Sequence, residues 1–261
     1  MGDLKLLVHA YCPSSYALVR YLVDKGIHNM LEIVPLNPGS PASLSKVIPS
    51  VPALVVDSKV VAVDPIEPEF VKALLFNENI RSFVPVLEHE IVERFVKSVK
   101  SSSYVVLHVL LGGLSLGDLI TSEFTDAATR TYFSGLSKDY ARSVLLSRAE
   151  GIAGELLESS IRSVAYSFLR DAVISAKTEV DRFIDYEVLK LWSTAKISQG
   201  IVFTPLRELS QDGNLQRVMD YLRENYRGLL KSLDNFFSKL ASDTEVYELL
   251  SKGNSRGSAL M

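Results

Sequence analysis

The chain has 261 residues, 47% hydrophobic and 23% charged, the make-up of a folded globular protein long enough for one large domain or two ordinary ones. A formal net charge of −3 supplies no strong field for nucleic acid or an anionic membrane, so neither is expected as a partner. One cysteine excludes an intramolecular disulfide, and the opening "MGDLKLLVHAY" is too short an apolar run for a signal peptide, so the expected compartment is the cytoplasm.

The first eighty residues alternate short apolar runs with helical patterns. "LKLLVHAY" (Leu4 to Tyr11) predicts a strand. From Ser14, the residues Ala17, Leu18, Tyr21 and Leu22 recur at helical spacing, and Gly26 ends the helix. "LEIVPLN" (Leu31 to Asn37) predicts a second strand, with Pro35 marking an edge or an end. "SPASLSKVI" predicts a short helix with Ser40 as its cap and Pro41 in its first turn. "PALVVD" and "KVVAV" flank Asp57-Ser58 as the two strands of a hairpin. After Pro65, "EPEFVKALLFNENI" predicts a helix with acidic residues in its first turn, where they complement the dipole.

From about Arg81 the pattern changes to long amphipathic stretches. "VLEHEIVERFVKSV" carries Val86, Leu87, Ile91, Phe95 and Val99 on one face, and the segments beyond Tyr140 supply several more helices. The glycine-rich "LGGLSLGDLI" lacks the lysine of a phosphate loop and predicts a helix break, with Asp118 near the next helix start. The expected organisation is an α/β domain of order βαβαββα over residues 1–80, an all-α domain over 81–252, and a flexible tail over 253–261.

"YCPSS" follows the first strand and "SVPALVV" opens the third. This arrangement resembles the thioredoxin fold, in its glutaredoxin branch. There a Cys-Pro-x-Cys or Cys-Pro-x-Ser motif opens the first helix, and a Thr/Ser-Val-Pro tripeptide with a cis proline faces the cysteine. Cys12-Pro13-Ser14-Ser15 and Ser50-Val51-Pro52 stand at those two places. A module of this kind followed by helices is similar to the architecture of glutathione S-transferases. The resemblance implies a one-cysteine thiol transferase with Cys12 as nucleophile and Ser15 where the second cysteine stood. It implies substrate binding by Tyr11, Pro13, Ser14, Val51, Pro52 and Asp64, with glutathione or another small thiol as co-substrate. By the same analogy the substrate is a small thiol or a protein disulfide, the chain forms a homodimer, and no metal is required. Two departures stand out: Ser15 cannot resolve a mixed disulfide, and "VDPIEPEF" replaces the Glu/Gln-Ser that holds the γ-glutamyl end, leaving Asp64 to meet an amino group.

The chemistry itself needs a thiolate, hence a lowered cysteine pKa. At a strand-to-helix junction the free N–H groups of the first turn and the helix dipole favour negative charge on Cys12. A hydroxyl from Ser14 or Ser15 would add a charge-assisted bond. Against this stands a non-catalytic reading, in which the fold is a scaffold for protein binding or assembly and Cys12 a small hydrophobe. A third and weaker reading has two molecules share an iron–sulfur cluster through Cys12 and a small thiol. Alternation along the first strand sets His9 and Tyr11 on one side and Cys12 on the other, so His9 is not expected as its base. His89 and Glu93 make only a common i,i+4 pair, not a metal site. His108 and Trp192 are expected in the core, and Arg94, Arg130 and Arg142 on solvated helix faces.

Overall fold

The computed structural model describes residues 3–36, 50–176, 179–199 and 212–254. Its N-terminal part is a mixed sheet of four strands, β1 (Leu4–Val8), β2 (Glu32–Pro35), β3 (Ala53–Val56) and β4 (Lys59–Val63), in the order β2-β1-β3-β4. Strand β2 runs parallel to β1 across the crossover helix α1 (Pro13–Asp24), whereas β1–β3 and β3–β4 are antiparallel. Helix α2 (Pro68–Leu75) follows β4. The short helix expected over residues 40–48 lies outside the described residues.

Local chemistry accounts for these elements. Asp57 and Ser58 both adopt positive φ (48° and 65°), the geometry of a two-residue turn that matches strand twist. Pairing shifts between Leu54 and Val55, and the extra residue places Val61 and Ala62 in the same apolar cluster, as a bulge does. Gly26 takes φ 66° just beyond α1 and lets the chain turn back, with its N–H on the Val23 carbonyl. The first strand is shorter than its apolar run: it stops at Val8, and His9 to Cys12 form a turn closed by the Cys12 N–H on the His9 carbonyl at 3.1 Å. Strand alternation therefore does not apply to His9, Tyr11 and Cys12.

The rest is largely helical. Its elements are α3 (Glu88–Ser101), α4 (Ser103–Leu110), α5 (Leu116–Thr121), α6 (Glu123–Ala128), α7 (Thr131–Ser134), α8 (Lys138–Ser147), α9 (Ala149–Ala176), α10 (Tyr186–Gln199), α11 (Asp212–Ser242) and α12 (Thr244–Lys252). No helix among the described residues is long and apolar enough to cross a membrane. The glycine-rich segment does break the helix, and α5 starts with Ser115 accepting from the Asp118 N–H at 3.0 Å. Val86 and Leu87 do not extend the apolar face of α3. They precede the helix, exposed, because the Glu90 carboxylate turns back to accept both of their N–H groups at 3.0 Å.

The sheet is the middle layer between two apolar clusters. Leu4, Leu6 and Val8 pack with Leu54 and Val56 against Leu18, Leu22, Phe70 and Leu74 of α1 and α2. On the other face Leu7, Ala53 and Val63 join Phe95, Leu107, Phe124, Val164 and Phe168 of the helices. The end of α11 and helix α12 return to the first cluster, where Leu240, Val246 and Leu250 are buried with the sheet residues. Gly253 and Asn254 are likewise fixed rather than part of a loose tail. Asn254 accepts from the Ile33 N–H at 2.6 Å and donates to the His28 and Leu31 carbonyls.

Gly253 sits at φ 76°, and a Cβ there would lie 2.4 Å from the Ile33 carbonyl oxygen. Gly253→Ala is expected to lower stability by about 2 kcal/mol, because strain and steric overlap combine. Urea unfolding checks this, and a change within about 0.5 kcal/mol would mean the C-terminal clasp yields freely.

Candidate functional site

Cys12 caps α1, with extended backbone (φ −99°, ψ 117°) and Pro13 at the first helical position. Its sulfur accepts the Ser15 N–H at 3.5 Å and donates to the Val51 carbonyl at 3.4 Å, across 39 residues of sequence. The Val51–Pro52 bond is cis, as expected, and Pro52 is buried at the entrance to β3. Thus Cys12, Pro13, Ser15, Val51 and Pro52 are brought together.

The two serines have separate duties. Ser15 is fully buried; its hydroxyl accepts the His9 N–H at 3.3 Å and also bonds to the Cys12 sulfur. Ser14 bonds instead to the carboxylate of Asp64, which is 3% exposed and also held by Ser101. Burial is the main cause pushing the Asp64 carboxyl up to about 6, while Ser14, Ser101 and Arg94 pull it down. Asp64 therefore sits inside the wall of the site rather than open to solvent.

The Cys12 thiol is pushed above its ordinary pKa, opposite to the expected lowering. The residue is half-buried, and the enclosure of its sulfur is the chief cause, followed by the nearby Asp64 carboxylate. The bonds from Ser15 and the charge of Arg170 oppose these without overcoming them. The helix terminus does reach the sulfur, but desolvation outweighs one long N–H contact.

The turn ahead of Cys12 is enclosed by distant helices. Tyr11 meets Phe237 of α11 edge-on with ring centres 6.0 Å apart, and its hydroxyl bonds to Tyr247 of α12. His9 accepts the Tyr11 N–H on Nδ1 at 3.2 Å. Burial, with a smaller effect from Arg170, holds His9 down at about 4, so its ring is neutral at pH 7. On the helical side lies a polar cluster that the sequence did not disclose. Asp171 on α9 accepts from Arg170 at 3.0 Å, from Lys196 of α10 at 3.0 Å and from the Trp192 indole at 3.1 Å. Trp192 is thus half-buried and hydrogen-bonded, edge-on to Phe168 at 5.5 Å, rather than a plain core residue. The one signal for this cluster was an adjacent Arg-Asp pair inside the apolar run "SFLRDAVISA".

Arg94 and Arg130 are not on solvated faces. Arg94 is 9% exposed and Arg130 fully buried, and they grip opposite oxygens of Glu67, just after Asp64-Pro65. Both also donate to the Pro65 carbonyl, so the loop carrying Asp64 is tied to the helices. Arg142 pairs with Asp126, which is itself 8% exposed. His108 is fully buried with Nδ1 2.9 Å from the Tyr104 carbonyl, as a core histidine should be. Among the described residues no group of three or more metal-ligating side chains gathers. Compared with family models, curated proteins and solved structures, the chain matches none of them.

Proposed function

We propose that this chain is a one-cysteine thiol transferase on a thioredoxin-like module, with the helical part packed against it as in glutathione S-transferases. The observation that carries this reading is the Cys12 sulfur, held between the first turn of α1 and the Val51 carbonyl. Among the described residues, the mixed sheet of order β2-β1-β3-β4 and the facing of Cys12 and Val51 support it. In the reaction Cys12 gives its proton to solvent and its thiolate attacks one sulfur of a disulfide. A new S–S bond forms on Cys12, the substrate S–S bond breaks, and the leaving thiolate takes the electron pair. An external thiol, glutathione or another small one, then attacks the mixed disulfide and restores Cys12, because Ser15 cannot. The backbone of Val51 aligns the substrate, and the division into residues 1–80 and 81–252 belongs to the same proposal.

One observation favours a second reading, the non-catalytic scaffold. The thiol is neutral at rest and its surroundings include residues of α9, α11 and α12. Alkylation by iodoacetamide as a function of pH separates the two, since Cys12 is the sole cysteine and a mass shift assigns the product. The transferase reading expects native protein to react with an apparent pKa above the free-cysteine value of about 8.5. Ser15→Ala should move it higher still, because the hydroxyl bond that opposes the shift is gone. Reaction only after denaturation would overturn the transferase in favour of the scaffold.

A further inference from the structure

We propose that the open edge of β4 is a docking groove for a short acidic peptide, taken up in extended form as a strand beside Val60. The proposal is independent of Cys12 and of the transferase reading.

The two edges of the sheet end differently. At β2 the C-terminal clasp covers the edge, where the Asn254 side chain accepts the Ile33 N–H at 2.6 Å and donates to the Leu31 carbonyl at 3.0 Å. Strand β4 is the opposite edge, and among the described residues no element other than β3 gives its backbone a backbone partner. The hairpin register fixes where its free groups point. The two-residue turn at Asp57-Ser58 makes Val56 and Lys59 the pair that exchanges both hydrogen bonds, so the next pair, Val55 and Val60, exchanges none. The N–H and C=O of Val60 therefore point away from β3, into the space beyond the edge.

That space is a groove of about 580 Å³, walled on its far side by α6, α7 and the loop after α7. Val60, Val63, Phe124, Ala127 and Leu136 line it, and the exposed ring of Tyr132 forms its lip. An extended chain lying here meets free backbone groups on one side and apolar side chains on the other, the two requirements of strand addition.

Charge and register select the occupant. Lys59 and Lys138 both line the groove and are exposed, and Glu123 is the exposed carboxylate beside them. The second carboxylate, Asp126, is 8% exposed and already shared by Lys138 and Arg142, so it offers little to an incoming cation. The rim carries a surplus of positive charge and favours an acidic segment. A second copy of this chain is a poor occupant, because β4 set against β4 would oppose like rims. The extra residue at Val61 also interrupts the edge just past Val60, which suits a short segment and blocks a continuous intermolecular sheet.

The test uses the full chain and a fluorescein-labelled hexapeptide alternating valine with glutamate. Anisotropy measures its binding, and amide hydrogen exchange at Val60 locates it. The glutamate peptide should bind about tenfold more tightly than one with lysine at the same places, and it should slow exchange of the Val60 N–H. Lys59→Gln and Lys138→Gln should each weaken binding about two- to threefold, the scale of one screened charge. Methylating alternate peptide nitrogens should weaken it about tenfold, because the strand bonds are lost. Both lysines are exposed, so neither variant threatens the fold. Failure of the glutamate peptide to bind, equal affinity for the two peptides, or binding that leaves Val60 exchange unchanged overturns the proposal. Protection of Val60 that grows with protein concentration alone also overturns it, and would give the edge to a second copy.

Discussion

Arg130→Met should destabilise the protein by about 3–5 kcal/mol, the largest effect of any single substitution argued from this structure. Arg130 is fully buried in the left-handed region (φ 54°) at the start of α7. It donates to the Phe83 carbonyl at 2.7 Å, to the Pro65 carbonyl at 3.3 Å and to Glu67. Its guanidinium also stacks 4.0 Å from the Phe70 ring centre. Methionine fills much of the volume but leaves the Phe83 carbonyl without this donor and Glu67 with Arg94 alone. The cost comes from those stranded acceptors more than from Coulomb attraction to Glu67, whose side chain is 39% exposed and therefore screened. Arg130→Lys should cost nearly as much, because one ammonium cannot span three acceptors held by a planar fork. Urea unfolding measures both. A loss below about 1 kcal/mol for the methionine variant would mean that the loop after β4 is anchored elsewhere. Since this loop carries Asp64, the variant should also change the alkylation rate of Cys12, linking packing to site chemistry.

Much of this arrangement was legible in the sequence, for local reasons. Gly26, the Asp57-Ser58 turn and the Cys-Pro helix start act within a few residues of themselves, so spacing and residue type suffice to place them. The pairing of Cys12 with Val51 was reachable only through a resemblance, since no periodicity connects residues 39 apart. What escaped notice depends on partners far along the chain. Arg94 and Arg130 looked like solvent-facing charges because Glu67 and Phe70, which make their burial tolerable, belong to another element. The Arg170–Asp171–Lys196 cluster comes from α9 and α10, more than 150 residues downstream of Cys12, and no local pattern marks Asp171 as its centre. The direction of the Cys12 shift failed for a related reason. A helix N-terminus can be read from sequence, but the desolvation that outweighs it comes from the enclosing fold.

Asp64 and His9 should give this fold two opposed pH dependences that nearly cancel in the native chain. The Asp64 carboxyl is raised from 3.8 to about 6 by burial. A raised group contributes stability that is present below the unfolded value and lost as pH rises through the folded one. Over pH 4 to 6 the loss from Asp64 approaches about 3 kcal/mol. His9 is lowered from 6.5 to about 4, again chiefly by burial, so its neutral ring contributes stability above 6.5 that is lost as pH falls towards 4. That loss is about 3 kcal/mol over nearly the same window, with the opposite slope. Asp64→Asn should therefore gain about 3 kcal/mol on the parent at pH 7 and little at pH 4, because asparagine removes the buried charge and can still bond to Ser14. His9→Gln should compare best with the parent at pH 4 and worst at pH 7. Urea unfolding of the three proteins at pH 4, 5.5 and 7 supplies the test, and variant curves that merely parallel the parent would rule out both groups as its source. The site should respond in step: with Asp64 neutral, one of the two causes raising the Cys12 thiol disappears, and alkylation at pH 7 should quicken several-fold. A stability gain at pH 7 without that quickening would separate Asp64 from the sulfur, and would assign the carboxylate to the packing of the β4 loop alone.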